Sequence, residues 1–594
     1  MTDEYCLPPD DEIGKYLSYL DGCTFSGGYL RKETDKGTIV ISNFLPVPVE
    51  DIHLDDGNEQ QRFFRIKGLK YDGERITELP TITVKAGEAA AMNWVTENWG
   101  FNANIESPIQ SRKDTLRSIM FRLGERFATQ KTIYTHIGWR ELNSSWFYLH
   151  GGGAIGAENI EVQLDNRMNR FDLSGEKINF ISVCNAVSEL FGVAAPEIIY
   201  PAISLVFLSP LNEFLRQSGY EPSFVLYYLG RTQSHKSTLA ALMLSFFGKF
   251  TATSLPSSFK DTANAIEKKG YTLKDVLTVI DDYHPATTTK ERLAMEQIMQ
   301  SVSRGYGDRT GRDRMTSDIT VRGGYAPRGN VIVTGEDFPS IGQSGSARNF
   351  IVELALNSVP ITEHLTRTQQ FAADGYYTCF MCEYISWLIP QTDNLPQKLK
   401  RRFLQHREKA IEENSSGFGR TGDILAWLMV GFECLTEFLC DTHMIEKAEI
   451  VAMNDNAWKV LSSIAKKQLD KCTEDTPTKM FLDTVRELFE AKKICIITIG
   501  GFPDTYGEMV GYRDTEFFYF LPSKIYGEVA KFFSQQNETF PLTKSMLFRQ
   551  LRNEKILVPS GNDNTVQKRI EQKNGKYLCI PRGFIELEYG DKTA

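Results

Sequence analysis

The chain has 594 residues, too many for one hydrophobic core and, at about 150 residues per domain, roughly three or four domains. Its 41% apolar, 24% charged and 11% aromatic residues exclude a disordered or fibrous protein. A formal charge of −9 excludes a protein that coats nucleic acid with its whole surface and leaves room only for a local basic patch.

The opening stretch MTDEYCLPPDDEIGKYL has no basic region followed by an apolar one, so no secretory leader is expected and the chain is expected to stay in the cytoplasm. As far as about residue 125, strand-like runs such as GTIVISNFLPVPV, QRFFRIKGL and ITELPTITVKAG are separated by Gly, Asp and Pro turn signals. They predict a mostly β accessory domain over residues 1–125, closed by the helix SRKDTLRSIMFRLGERF. The segment TIYTHIGWRELNSSWFYLHGGGAIG, with aromatics on both sides of a polar turn, predicts a hairpin leading into the next domain. The most apolar stretch, IIYPAISLVFLSPLNEFL, is interrupted by Pro201, Pro210 and Glu213 and falls short of the roughly 20 residues a bilayer needs, so it predicts a buried helix and no membrane partner.

Between residues 126 and 360 unbroken apolar runs alternate with helical patterns. SFVLYYL, DVLTVI and GNVIVTG have the character of parallel strands buried on both faces, which predicts an α/β domain. Residues 361–475 turn helical and amphipathic and predict a helical lid or bundle. Cys379 and Cys382 fall there, with no second cysteine pair or histidine pair to complete a metal site, and predict buried, reduced thiols. Residues 476–594 give a helix, the strand ICIITIGG, two further helices and a hairpin-like end, which is the order of a winged helix.

The chemistry concentrates in GRTQSHKST, residues 230–238, directly after SFVLYYL. A phosphate-binding loop needs a strand, a tight turn, inward N–H groups, a Lys for the β- and γ-phosphates, a Ser or Thr for Mg²⁺ and a helix immediately after. Gly230, Arg231, Thr232, Gln233, Ser234, His235, Lys236, Ser237 and Thr238 supply that frame for ATP, and TLAALMLSFFG supplies the helix. His235 stands where a glycine is usual, a position that histidine fills at a cost of about 1 kcal/mol. Forty-five residues after Lys236 the strand DVLTVIDDYHP ends in Asp281, expected with Ser237 on the Mg²⁺ shell, and Asp282, expected to polarise the attacking water. The third strand ends in Thr334 and Glu336, where a γ-phosphate sensor is expected. Between the second and third strands Arg304, Arg309, Arg312 and Arg314 are candidates for an arginine acting in a neighbouring subunit, as is Arg348.

These segments, with ISNFLPV, AAAMNWVTENWG, HIGWR, APRGNVIVTGEDFP and GQSGSARNF, resemble phage- and mobile-element-encoded ATPases grouped as a domain of unknown function and related to the MCM-like, self-loading helicases of staphylococcal chromosome cassettes. The resemblance spans roughly residues 40–360 and, more loosely, the C-terminal segment. It implies an AAA+-like core, Lys236, Ser237, Asp281 and Asp282 as ATP and Mg²⁺ residues, a ring-shaped homo-oligomer in the form of a hexamer, and ATP-driven DNA unwinding during replication of the element. The chain departs from the pattern at His235.

From Pro541 to Arg582 nine Lys or Arg oppose three acidic residues, a local excess suited to DNA phosphates. Lys544, Arg549, Arg552 and Lys555 fall on the polar side of TKSMLFRQLRNEKIL, the expected recognition helix, and Lys568, Arg569, Lys573 and Lys576 on the expected wing. Besides a helicase, two readings stay open on the residues: an ATP-switched, DNA-binding initiator or regulator with slow hydrolysis, and an ATPase that remodels proteins. Host or element-encoded replication proteins are further expected partners.

Overall fold

The computed structural model describes residues 12–585 apart from 73–74, 166, 285–287, 312–313, 316–320, 340–344, 361, 414–418, 475, 502–505, 537–538 and 562. Two compact units emerge. The first comprises Met1–Phe338, Val352–Glu408 and Ala426–Val460, and the second Pro339–Ile351, Lys409–Leu425 and Leu461–Ala594.

The first unit opens with β structure. Cys23–Ser26, Tyr29–Thr34 and Gly37–Ser42 form a three-stranded antiparallel sheet, and Leu45–Asp55 begins the next sheet, paired with Gln60–Tyr71 and Thr129–Tyr134. The apolar run GTIVISNFLPVPV is therefore two strands, broken at Asn43 and Phe44 because its halves serve different sheets. Helix Ile109–Phe127 lays Leu116, Ile119, Met120 and Leu123 on a core that also holds Phe44, Trp94 and Trp99. That stripe recurs every three to four residues, the spacing of one helix face.

The tip of the Leu45–Asp55/Gln60–Tyr71 hairpin is clamped by residues far along the chain. Arg140 donates to Asp55 Oδ2 at 2.6 Å, Arg328 Nη2 to Asp56 O at 2.9 Å, and Tyr271 Oη to Asp56 Oδ1 at 3.2 Å. The Arg328 guanidinium also lies 3.7 Å from the centre of the Tyr271 ring.

A five-stranded sheet in the order Ser257–Ser258, Leu277–Tyr283, Asn330–Gly335, Val225–Gly230, Asn349–Leu354 forms the α/β part. The first four strands pair in parallel. All six residues of Asn330–Gly335 are buried, which is why its sequence reads as an unbroken apolar run. The three strands expected from sequence are thus neighbours, with their C-terminal ends at one edge.

Residues 196–217 run as Pro196–Leu208, a 3₁₀ turn Ser209–Leu211 and Asn212–Gln217. This continuous run of 22 residues exceeds the length expected from its prolines, and 94% of its most apolar stretch is buried. It is a core helix. Phe207 meets Phe380 at 5.5 Å, and Phe380 meets Phe438 at 5.3 Å, so helices Tyr376–Leu388 and Arg420–Asp441 share its core. Cys379 and Cys382 lie half-buried on the former.

The second unit holds helix Pro477–Glu490, strands Ile494–Thr498, Glu508–Arg513 and Phe517–Phe520, helices Pro522–Gln535 and Lys544–Asn553, and the hairpin Val566–Ile570/Lys573–Pro581. Its sheet places the hairpin strand Lys573–Pro581 beside Phe517–Phe520. Glu571 and Gln572 both have positive φ, 48° and 64°, the two-residue turn whose twist matches antiparallel strands. Phe481, Phe518, Val529, Leu547 and Leu578 share one core that binds the helices to the sheet.

Candidate nucleotide site and basic surface

Strand Val225–Gly230 delivers the loop, and helix Lys236–Leu244 leaves it. Gly230 is demanded by space: a Cβ there would lie 2.6 Å from Leu354 O and 2.7 Å from Ser234 Oγ. His235 adopts φ 60°, ψ 25°, the left-handed region, and Gln233 has φ 71°. Left-handed residues on either side of Ser234 curl successive N–H groups toward one side, the geometry of an anion nest. His235→Gly removes the left-handed penalty and loosens the unfolded chain by a similar amount, so the two offset. Its urea midpoint is expected to match wild type, whereas His235→Ala keeps the penalty without histidine's tolerance and should cost about 1 kcal/mol.

Lys236 is buried, and its Nζ donates to Gly230 O at 2.5 Å, Arg231 O at 3.0 Å and Ser234 Oγ at 3.5 Å. Burial pulls its ammonium below the ordinary lysine range, opposed by the charges of Glu336, Asp281 and Asp282. Ser237 Oγ donates to Asp281 Oδ1 at 2.7 Å, and Thr334 Oγ1 donates to the same oxygen at 2.6 Å. Thr334 Oγ1 also accepts from the Asp282 backbone N–H at 3.1 Å. One hydroxyl therefore ties the third strand to both carboxylate residues of the second.

A cavity of about 280 Å³ opens over this cluster, lined by His235, Lys236, Ser237, Asp282, Thr334 and Glu336 among others. The Ser237 hydroxyl and the Asp281 carboxylate suit Mg²⁺, a hard ion that keeps several waters and takes one or two protein oxygens. Among the described residues no group of three or more His, Cys, Asp or Glu forms a metal cage, as that binding mode requires none. Asp282 sits at a register shift in its strand pairing with φ 72°, which turns its half-exposed carboxylate to within 3.6 Å of His284 Nδ1. Arg231, Thr232 and Gln233 are exposed on the outer loop, and Thr232 Oγ1 donates to Glu336. Thr238 completes the first helical turn.

The arginine candidates separate. Arg304 is exposed, beside a polar depression that it shares with Glu267, Gln300 and Thr310. Arg309 turns inward instead: it donates to Pro222 O at 2.6 Å, Pro327 O at 3.2 Å, Gly329 O at 2.6 Å and Asn330 Oδ1 at 3.0 Å, and lies 3.6 Å from Glu221. Its guanidinium is committed within its own chain. Arg312 lies outside the described residues, and Arg348 follows a turn of the second unit, where its N–H donates to Gly345 O at 3.1 Å.

Two residues at the site were missed in the sequence. Gly335 is required because a Cβ would lie 2.0 Å from Tyr227 Oη, and Tyr283 lines the cavity. The glycine directly after VIVT was the available signal.

Residues 107–318, which include the loop, both aspartates and Arg304, match the family described as Domain of unknown function (DUF927). The chain carries a DUF927 domain. No curated protein matches the chain. The SCCmec type IV Cch active helicase has the same fold: the match covers 95% of this chain and 99% of that one at 11% identity and a TM-score of 0.59. The apo C-terminal region of NrS-1 aligns over 89% of this chain and 95% of its own at 10% identity, with a TM-score of 0.28 that is too low to support a comparison. Thr334 and Gly335 lie beyond the matched DUF927 segment, on the strand that completes the site.

Separate from the DUF927 domain, the basic residues of the second unit fall into two groups. Lys544, Arg549, Arg569 and Lys573 are exposed, the first with its Nζ 3.1 Å from Ser523 Oγ. Arg569 is on the outer side of its strand. Lys568 faces the other way, with Nζ 2.5 Å from Tyr519 Oη and 3.1 Å from Asp514 Oδ2, and is held over the Tyr519 ring. Arg552 donates to Gly561 O at 2.9 Å and Lys576 pairs with Asp563 at 3.0 Å. The helix ends at Asn553, so Lys555, exposed with φ 59°, lies past its end rather than on its polar side.

Proposed function

We propose that this chain is an ATP-driven, ring-forming DNA helicase or translocase that serves replication of a phage or mobile element. The single observation that carries the reading is the convergence of Ser237 and Thr334 on one oxygen of Asp281 beneath a loop that holds a buried lysine. The full-length likeness to Cch, itself described as an active helicase, supports it.

In this reading the α/β part is an AAA+-like core, residues 361–475 a lid, and residues 476–594 a winged helix, with residues 1–125 as an accessory β domain. Loop N–H groups and Lys236 bind the β- and γ-phosphates of ATP. Ser237 and Asp281 hold Mg²⁺, which when bound neutralises charge on the phosphate oxygens. Asp282 orients the attacking water, and Thr334 fixes both aspartates while sensing the γ-phosphate. Arg304, exposed, is the arginine offered to the neighbouring subunit of a hexamer, with Arg348 as the alternative. The protein works in the cytoplasm with single- and double-stranded DNA and with host or element-encoded replication proteins.

Steady-state ATPase rates with and without single-stranded DNA, followed by a strand-displacement assay, test the proposal. DNA-stimulated turnover with directional displacement is expected, and turnover that ignores DNA sinks it. Asp282 favours one second reading: a half-exposed carboxylate in the left-handed region, near His284, suits slow hydrolysis in an ATP-switched initiator. ATPase activity without strand displacement selects that reading.

The basic face makes its own prediction. Arg549→Ala with Arg569→Ala should lower the slope of log affinity against log salt by about two and weaken duplex binding by roughly tenfold. An unchanged slope in fluorescence anisotropy would mark this face as a protein-docking surface.

A further inference from the structure

Beside the loop cavity lies a second one of about 600 Å³, and Thr238 lines both. Helix Lys236–Leu244 gives it Thr238, Ala241 and Leu242, three and four residues apart on one helical face. The segment after that helix folds back to bring in Phe250, which is buried and packs edge-on against Phe171 at 4.9 Å. Gly248 permits the reversal: its φ is 154°, and a Cβ there would lie 1.8 Å from Arg170 O. Helix Glu363–Ala373 adds Gln369, Ala372 and Ala373, again three and four residues apart.

Starting from the nucleotide reading above, we infer that this cavity takes the nucleoside of the bound triphosphate and that Gln369 reads the edge of a purine. Phosphates held by Lys236 and Ser237 leave their nucleoside within one nucleotide's length, and Thr238 is where the two cavities meet. Ala241, Leu242, Phe250, Ala372 and Ala373 give the apolar lining that the faces of a base require, with polar groups left to fix its edge. The Gln369 amide is exposed and, among the described residues, has no hydrogen-bond partner. It carries both donor and acceptor. Turned one way it matches the amino group and adjacent ring nitrogen of adenine; turned the other it matches the carbonyl and adjacent N–H of guanine. The site therefore accepts ATP and GTP with similar affinity.

Calorimetric titration with Mg²⁺-ATP, Mg²⁺-GTP and inorganic tripolyphosphate tests this on the full chain. In wild type, ATP and GTP should each bind at least about tenfold more tightly than tripolyphosphate. Ala373 is exposed, so Ala373→Trp should fold, block the cavity and bring ATP to the tripolyphosphate level while tripolyphosphate binding is retained. Gln369→Glu, an acceptor only, should pair with the two adjacent N–H groups of guanine and shift the ratio toward GTP by about fivefold. Undiminished ATP binding in a folded Ala373→Trp protein, or an unchanged ratio in Gln369→Glu, overturns the inference. Failure of the nucleotide reading looks different: Lys236→Ala would then bind tripolyphosphate as well as wild type does.

Discussion

Lys236→Ala is expected to reduce ATP turnover by at least about a hundredfold and to leave the fold intact. Among the described residues that line the loop cavity, Lys236 is the one lysine or arginine, and the charges of Glu336, Asp281 and Asp282 act on it. Without it a triphosphate meets three carboxylates and no fixed cation. A unit charge about 4 Å from a phosphate oxygen, at an effective dielectric constant of about 20, is worth about 4 kcal/mol, enough for that loss. Stability should change little, because the folded state already disfavours the ammonium form and Ala removes a desolvated charge together with its three hydrogen bonds. Turnover assays alongside a thermal melt check both halves. A folded Lys236→Ala protein that still hydrolyses ATP at the wild-type rate removes the loop from the reaction.

Arg309→Ala should produce the largest loss of stability, about 3–5 kcal/mol, because it strands buried partners. Three carbonyls, Pro222 O, Pro327 O and Gly329 O, would lose their side-chain donor, and Asn330 Oδ1 would keep only the amide of Asn212. Glu221, whose carboxyl burial already pushes up, would lose the nearest charge that pulls it down. Lysine cannot restore the arrangement, since its single ammonium does not reproduce the planar fork that spans these acceptors. The expected outcome is a urea midpoint lowered in both Arg309→Ala and Arg309→Lys. A normal midpoint combined with lost turnover would instead return Arg309 to the role of intersubunit finger.

The central strands were legible because burial on both faces writes an unbroken apolar run, and VLYYLG, LTVI and NVIV carry one each. The strand, turn and helix around the loop were legible because residue type and spacing alone define that pattern. Glu508–Arg513 was not legible, because EMVGYR mixes charges and a glycine with its apolar residues. Gly511 is there because a Cβ would lie 2.4 Å from Tyr519 O, a cross-strand constraint no local pattern reveals. Arg309 misled for a related reason. In SRGYGDRTGRDR it reads as one of several arginines offered to a neighbouring subunit, and only residues 222, 327, 329 and 330, brought together by the fold, make it internal. Lys568 and Arg569 are adjacent in sequence, yet the alternation of a strand sends one to Tyr519 and the other to solvent.

The clamp on the hairpin tip has a consequence for how the protein is made. Arg328 closes on Asp56 across 272 residues of chain, and Tyr271 reaches the same aspartate across 215. At synthesis rates of roughly 5–20 residues per second, Asp56 leaves the ribosome about 14–54 s before the arginine that secures it. During that interval the two longest strands of the N-terminal sheet, Leu45–Asp55 and Gln60–Tyr71, are present without the last of their distal fastenings. The clamp is thus complete only once the segment just before the third strand of the α/β sheet has been translated, and the early chain is the stage at which a holdase chaperone would have most to protect.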